Sequence, residues 1–178
     1  MKEKAVFFTT TALVGRSDLT EELSAAQFSP NEWKALRLLT LAGYTIVLLT
    51  PERSAVYAEC QESKCLENGT AGAAGSVARH HGDMTKQITP LLQATATLQL
   101  DLTHSWMIGD RLDSIEVGRL VGCRTVLLAD GSETDWEMTA MRWPDLIAGD
   151  MWEIACLIVM SDGSSIEGLS IDLDDDED

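Results

Sequence analysis

The chain is predicted to adopt an α/β fold, a doubly wound (Rossmann-like) parallel sheet of about five strands with helices on both faces. Three observations lead there. Ala5-Val6-Phe7-Phe8, Tyr44–Leu49 and Ser105–Ile108 are short, nearly unbroken apolar runs, the pattern of strands covered on both sides. Stretches with helical spacing lie between them. Within Ser105–Leu128 a strand is broken by Gly109-Asp110, a helix opens at Asp113–Glu116 and stops at Gly122, and Arg124–Leu128 starts another strand. Strand, helix, strand in that order is a crossover unit, which implies parallel pairing.

The first strand, Ala5–Phe8, carries Thr9-Thr10-Thr11 at its carboxyl end. Ser29-Pro30-Asn31-Glu32 then combines an N-cap serine, proline at the first helical position and glutamate three residues after the cap, which is a capping box. The helix it opens runs through Trp33, Leu36, Leu39 and Leu41 to Gly43, and the second strand, Tyr44–Leu49, closes at Thr50-Pro51. From Pro51 to Asp83 the pattern weakens, and the Gly- and Ala-rich run Asn68–Gly75 suggests a long irregular loop. Helical spacing returns over Lys86–Leu98 through Ile88, Leu91, Leu92 and Leu98, with Pro90 expected in the first turn. After Leu128 come a loop at Ala129–Thr134, a Trp- and Met-containing segment at Trp136–Trp143, a short strand at Leu146–Ala148 and a final helix from Asp150 to Met160. Residues 1–161 make one domain and 162–178 an acidic tail. No internal repeat is present.

At 178 residues and 45% apolar content the chain suits one soluble domain with a substantial core and leaves no room for a large second one. The formal charge is −16, and six of the acidic residues fall in Asp172–Asp178; removing those six leaves −10. Neither nucleic acid nor an anionic membrane is expected as a partner, since each calls for a basic face. The tail has the composition of a disordered solubilising end, the alternative being a docking motif. Cys60, Cys65, Cys123 and Cys156 do not form a secreted disulfide pattern, so a cytoplasmic location is expected. Thr9–Thr11 interrupts the only leader-like apolar run near the start, and no run approaches the length of a membrane span.

Gly109-Asp110, Ile115-Glu116-Val117-Gly118 and Gly122-Cys123-Arg124-Thr125 together resemble the fourth motif of the haloacid dehalogenase (HAD) superfamily of phosphohydrolases. The match is best to its small capless members, the heptose-bisphosphate and histidinol phosphatases. The resemblance covers roughly Lys4 to Met160 and implies a metal at Asp110 and Asp113, beyond the carboxyl end of a strand where open sheets bind ligands. One departure is that the family's second aspartate falls at Ser114, with Asp113 one residue earlier.

The family's first motif follows the first strand and carries two aspartates, a nucleophile that also binds magnesium and a general acid and base. Alignment of Lys4–Phe8 with that strand puts Thr9 at the nucleophile, Thr11 at the acid/base and Ala12 at the usual glycine. An unassisted threonine hydroxyl stays protonated at neutral pH and is a poor nucleophile. Thr11 cannot shuttle a proton near pH 7, and magnesium loses one charged ligand, so its binding is weakened. Thr50 matches the family's phosphate-binding Ser/Thr, although Pro51-Glu52-Arg53-Ser54 replaces the usual context and a strand-end threonine also serves as a plain cap. Lys86 falls within a residue of the third-motif lysine, the bland reading being a solvated surface lysine. Many capless relatives hold zinc between these motifs. Cys60, Cys65, His80 and His81 lie in that region, but their spacing is wrong and adjacent histidines converge poorly on one tetrahedral ion, so zinc is not expected. His104 reads as structural.

Two functional readings follow. In the first, the chain is a non-catalytic pseudophosphatase that binds a protein partner or a phosphorylated ligand; with Thr9 and Thr11 replacing carboxylates, repulsion toward an anion falls, and Thr50, Arg53, Lys86 or Arg111 could contact phosphate. In the second, it is a divergent metal-dependent phosphatase acting on a sugar phosphate or histidinol phosphate, using Asp110, Asp113 and a metal-activated water.

Overall fold

The computed structural model describes residues 3–9, 28–49, 54–57, 84–131, 133 and 136–163. Their strands form a single six-stranded sheet: β1 (Lys4–Thr9), β2 (Tyr44–Leu49), β3 (Ser54–Tyr57), β4 (Trp106–Gly109), β5 (Arg124–Leu128) and β6 (Leu146–Ala148), in spatial order β3-β2-β1-β4-β5-β6. All neighbouring pairs are parallel except β2 with β3, which is antiparallel. The five-strand parallel sheet expected from the sequence is therefore present, with one antiparallel strand added at its edge. That strand lies where an irregular loop is predicted. It has only four residues, and its pairing comes from the exposed edge of β2 rather than from a pattern of its own.

Among the described residues four α-helices cover the sheet: α1 (Pro30–Leu41), α2 (Met84–Leu98), α3 (Leu112–Val121) and α4 (Met151–Ser161). Side chains alternate across a strand, and β1 feeds both layers. Val6 and Phe8 join Leu36, Leu39, Trp106, Ile108, Ile154 and Ile158 beneath α1 and α4. Ala5 and Phe7 join Leu91, Met107 and Val117 beneath α2 and α3. This is why β1 reads as an unbroken apolar run, with Ala5 through Phe8 wholly buried.

Local chemistry fixes the helix ends. Ser29 accepts from the Glu32 amide and Glu32 returns the bond to the Ser29 amide, completing the capping box. Phe28 meets Trp33 edge-on at 5.6 Å, a hydrophobic staple across the same cap. Leu38 rather than Leu41 faces the core, and Leu41 is exposed at the helix end. Helix α2 begins at Met84, so Pro90 is inside the helix and not in its first turn, at the cost of one rung of the backbone ladder. Gly118 permits α3 to lie against the sheet, because a Cβ there would stand 2.6 Å from Met107 Cβ and 2.8 Å from Thr125 Cγ2. The expected strand at Leu146–Ala148 and the final helix are present, the latter capped by Asp150, which accepts from the Glu153 amide.

Trp136 and Trp143 are 58% and 64% exposed and stand outside the core. Among the described residues no helix is long and apolar enough to cross a membrane.

Candidate functional site

The chain runs β1 to β2 to β3 on one side, then returns to β4 on the other side of β1. The strand order therefore reverses between β1 and β4, and a crevice opens there at the carboxyl ends of the strands. Phe8 is paired with Ile108, which sets Thr9 level with Gly109 and next to the turn at Asp110. Thr9 and Asp110 are both buried, at 8% and 4% exposure, so a hydroxyl and a carboxylate converge at the switch point.

Gly109 ends β4 in a space that only a glycine fits, since a Cβ there would stand 2.3 Å from Ser114 Cβ. Ser114 is thus the α3 residue turned toward the strand end, and it is 3% exposed. Successive helical residues point about 100° apart, so Asp113 faces elsewhere. Its carboxylate accepts from Arg142 at 2.8 Å, and the same guanidinium reaches Glu116, one turn along α3, at 2.8 Å. All three side chains are largely buried, so this is a half-desolvated network rather than a surface pair. The sequence brings Asp110 and Asp113 together as one ligand pair; in the fold Asp110 is buried in the turn after β4 and Asp113 is paired with Arg142.

The segment between β5 and β6 makes these contacts and is anchored at several places. Glu133 accepts from the Leu112 amide at the α3 N-terminus, a position left open because Arg111 at the N-cap makes no side-chain cap bond. Asp145 accepts from the Thr125 amide at 2.8 Å, from the Thr125 hydroxyl at 2.9 Å and from Arg119 at 2.8 Å. Arg119 also donates to the Trp143 carbonyl. None of these partners has a local sequence signal. Arg142 lies 29 residues from Asp113, and only the folded chain joins them.

Thr11, Thr50 and Arg53 lie outside the described residues, as do Cys60, Cys65, His80 and His81. The backbone of Lys86 is in the first turn of α2, and its side chain lies outside the described residues. His104 belongs to a turn capped by Asp101, whose carboxylate accepts from the Thr103 amide and hydroxyl and pairs with His104 Nδ1 at 3.0 Å. Hydrogen bonds from Thr103 and then His104 hold the Asp101 carboxyl below its usual range. Among the described residues no three His, Cys, Asp or Glu side chains form a group able to hold a metal ion.

Residues 88–154 match the family model described as HAD-hydrolase-like. The fold is similar to that of a Mesorhizobium loti protein described as a HAD-like phosphatase, with a TM-score of 0.54 and 15% sequence identity over 89% of this chain and 87% of that one. Comparison with curated proteins gives no match. The matched segment holds the Gly109–Gly122 stretch, and the chain as a whole has the fold of that HAD-like protein.

Proposed function

We propose that this chain is a HAD-fold protein without the family's phosphoryl-transfer chemistry, a pseudophosphatase that acts by binding a phosphorylated ligand or a protein partner. One observation carries the reading: the residue at the carboxyl end of β1, buried at the switch point beside the Asp110 turn, is Thr9 and not a carboxylate. Its hydroxyl stays protonated near neutral pH, and no histidine lies near it in sequence to take the proton. Thr11, where the family has its acid/base aspartate, removes the second carboxylate.

The donor set fits magnesium poorly. Among the described residues Asp110 is the buried carboxylate that directly follows β4, Ser114 occupies the family's second position, and Asp113 is paired with Arg142. This weighs against the divergent metal-dependent phosphatase, which needs Asp110 and Asp113 on one ion. A site with two carboxylates replaced by hydroxyls repels a phosphate group less than the family's own site does. The acidic chain favours neither nucleic acid nor an anionic membrane as the partner.

The test is phosphatase activity with magnesium and a panel of sugar phosphates, comparing the wild type with Thr9→Asp/Thr11→Asp. The revertant is expected to release phosphate at least about 100-fold faster than the wild type. Equal, magnesium-dependent turnover by the wild type, lost in Asp110→Ala, would overturn the proposal in favour of the phosphatase.

A further inference from the structure

The opposite end of the sheet carries a second polar cluster. Lys4, Tyr44, Trp106 and Arg124 are the first residues of β1, β2, β4 and β5, so the topology brings them side by side at the amino ends of four strands. Their donors surround one acceptor, Asp162, which follows α4. Lys4 Nζ is 3.1 Å from Asp162 Oδ2, the Tyr44 hydroxyl donates to the same oxygen, and Arg124 lies 3.3 Å from Oδ1.

The donors are held before any anion arrives. The Lys4 ammonium sits 4.0 Å above the Tyr44 ring, and the Arg124 guanidinium 3.8 Å above the Trp106 ring. Tyr44 and Trp106 are themselves buried, at 3% and 0% exposure. Trp106 Nε1 is a fourth donor; it stands beside the Tyr44 hydroxyl and makes no well-aligned hydrogen bond. A buried indole N–H normally finds one.

The charges do not balance. Two cations face one carboxylate, which leaves an excess of one positive charge in a chain of net charge −16. A dianionic oxyanion would cancel both cations, and its additional oxygens offer an acceptor to the indole that a carboxylate with both oxygens engaged does not.

We propose that the amino end of the sheet is an oxyanion site of the phosphate class, filled in this conformation by the chain's own Asp162 and opened when that side chain leaves. It is distinct from the switch-point crevice, because the length of β1, about 16 Å, separates Lys4 from Thr9. Occupancy by an outside anion would break the contacts of Asp162 with Lys4, Tyr44 and Arg124 at the end of α4.

The experiment uses the full chain and inorganic phosphate, with chloride at equal ionic strength as the control. Wild type, Asp162→Ala and Asp162→Asn are compared by thermal unfolding. Alanine vacates the acceptor position, whereas asparagine keeps it filled. Asp162→Ala is expected to show saturable stabilisation by phosphate with an apparent Kd about tenfold or more below that of wild type, and Asp162→Asn, which keeps the position filled but carries no competing charge, to fall between the two. If Asp162→Ala is unfolded in chloride, phosphate is expected to restore the fold. Phosphate binding in the crevice would be common to all three proteins, so it cannot produce this difference. Equal shifts in the three proteins, or no recovery of an unfolded Asp162→Ala, would overturn the proposal, as would a phosphate effect that survives Arg124→Met in the Asp162→Ala background.

Discussion

Arg142 holds Asp113 at 2.8 Å and, with the other side of the same guanidinium, Glu116 at 2.8 Å. One cation from the β5–β6 segment thereby bridges two carboxylates on adjacent turns of α3. The planar fork of arginine allows this, and a lysine ammonium at the same place could not present the same two edges.

Arg142→Ala leaves two largely buried carboxylates without their shared cation, and it is expected to cost about 2–4 kcal/mol in urea unfolding. Arg142→Lys should recover less than half of that loss. Full recovery by lysine would mean that charge alone matters and that the bidentate geometry is incidental.

Gly118→Ala tests how tightly α3 seats on the sheet. The added methyl would lie 2.6 Å from Met107 Cβ, a position that rotamer changes cannot relieve because the nearest atom is itself a Cβ. A loss of about 3 kcal/mol is expected, with the helix displaced from β4. A loss below about 0.5 kcal/mol would show that the backbone yields at little cost.

Much of this architecture can be read from local sequence. The capping box at Ser29–Glu32, the apolar run of β1 and the Gly109–Gly122 pattern each depend on residues within a turn or two of each other, and each forms as the sequence predicts. What escapes such reading depends on distant neighbours. Strand β3 exists because β2 has an open edge, and the orientation of Asp113 is decided by Arg142 and by the contact of Ser114 with Gly109. For the same reason, Thr9 and Asp110 can be paired from sequence only through family resemblance, whereas the β1–β4 register brings them to one place directly.

Asp162 makes acid sensitivity predictable. Burial alone would raise its pKa, but hydrogen bonds from Tyr44 and Lys4 and the charges of Lys4 and Arg124 outweigh burial and hold the carboxyl below its ordinary range. A group whose folded pKa is depressed contributes stability above its unfolded pKa and loses it as pH falls through the folded value. The stability difference between wild type and Asp162→Asn should therefore be constant from pH 7 to about 5 and shrink below about pH 4. A difference that grows on acidification would contradict the assignment. Tyr44, whose pKa is raised by burial and then by its bond to Asp162, contributes no titration in this window.

Cys123 should be inert in the folded protein. Burial pushes its thiol up to about 12, so almost no thiolate is present at neutral pH. Alkylation by iodoacetamide at pH 8, followed by mass spectrometry, is expected to leave Cys123 unmodified until the chain is unfolded. Cys156, raised by burial and then by the charge of Asp150, should react more slowly than a model thiol but ahead of Cys123. Labelling of Cys123 at the rate of unfolded chain would mean that α3 and β5 open readily.

Ser114→Asp separates the two candidate positions for a second metal carboxylate. Ser114 stands against Gly109 at the strand end, whereas Asp113 faces Arg142. An aspartate at 114 would place a carboxylate in a buried position close to Asp110, and without a cation the variant is expected to lose about 2 kcal/mol or more. Magnesium should restore much of that loss, because an ion that binds only the folded variant shifts its unfolding in proportion to affinity and concentration. Asp113→Asn, by contrast, should lose part of the Arg142 network and show no change in its response to magnesium. Thermal unfolding of the wild type and both variants with and without magnesium makes the distinction. Stabilisation of the wild type by magnesium that disappears in Asp113→Asn would identify Asp113 as a ligand, and the ion pair with Arg142 would then be an arrangement that the metal displaces.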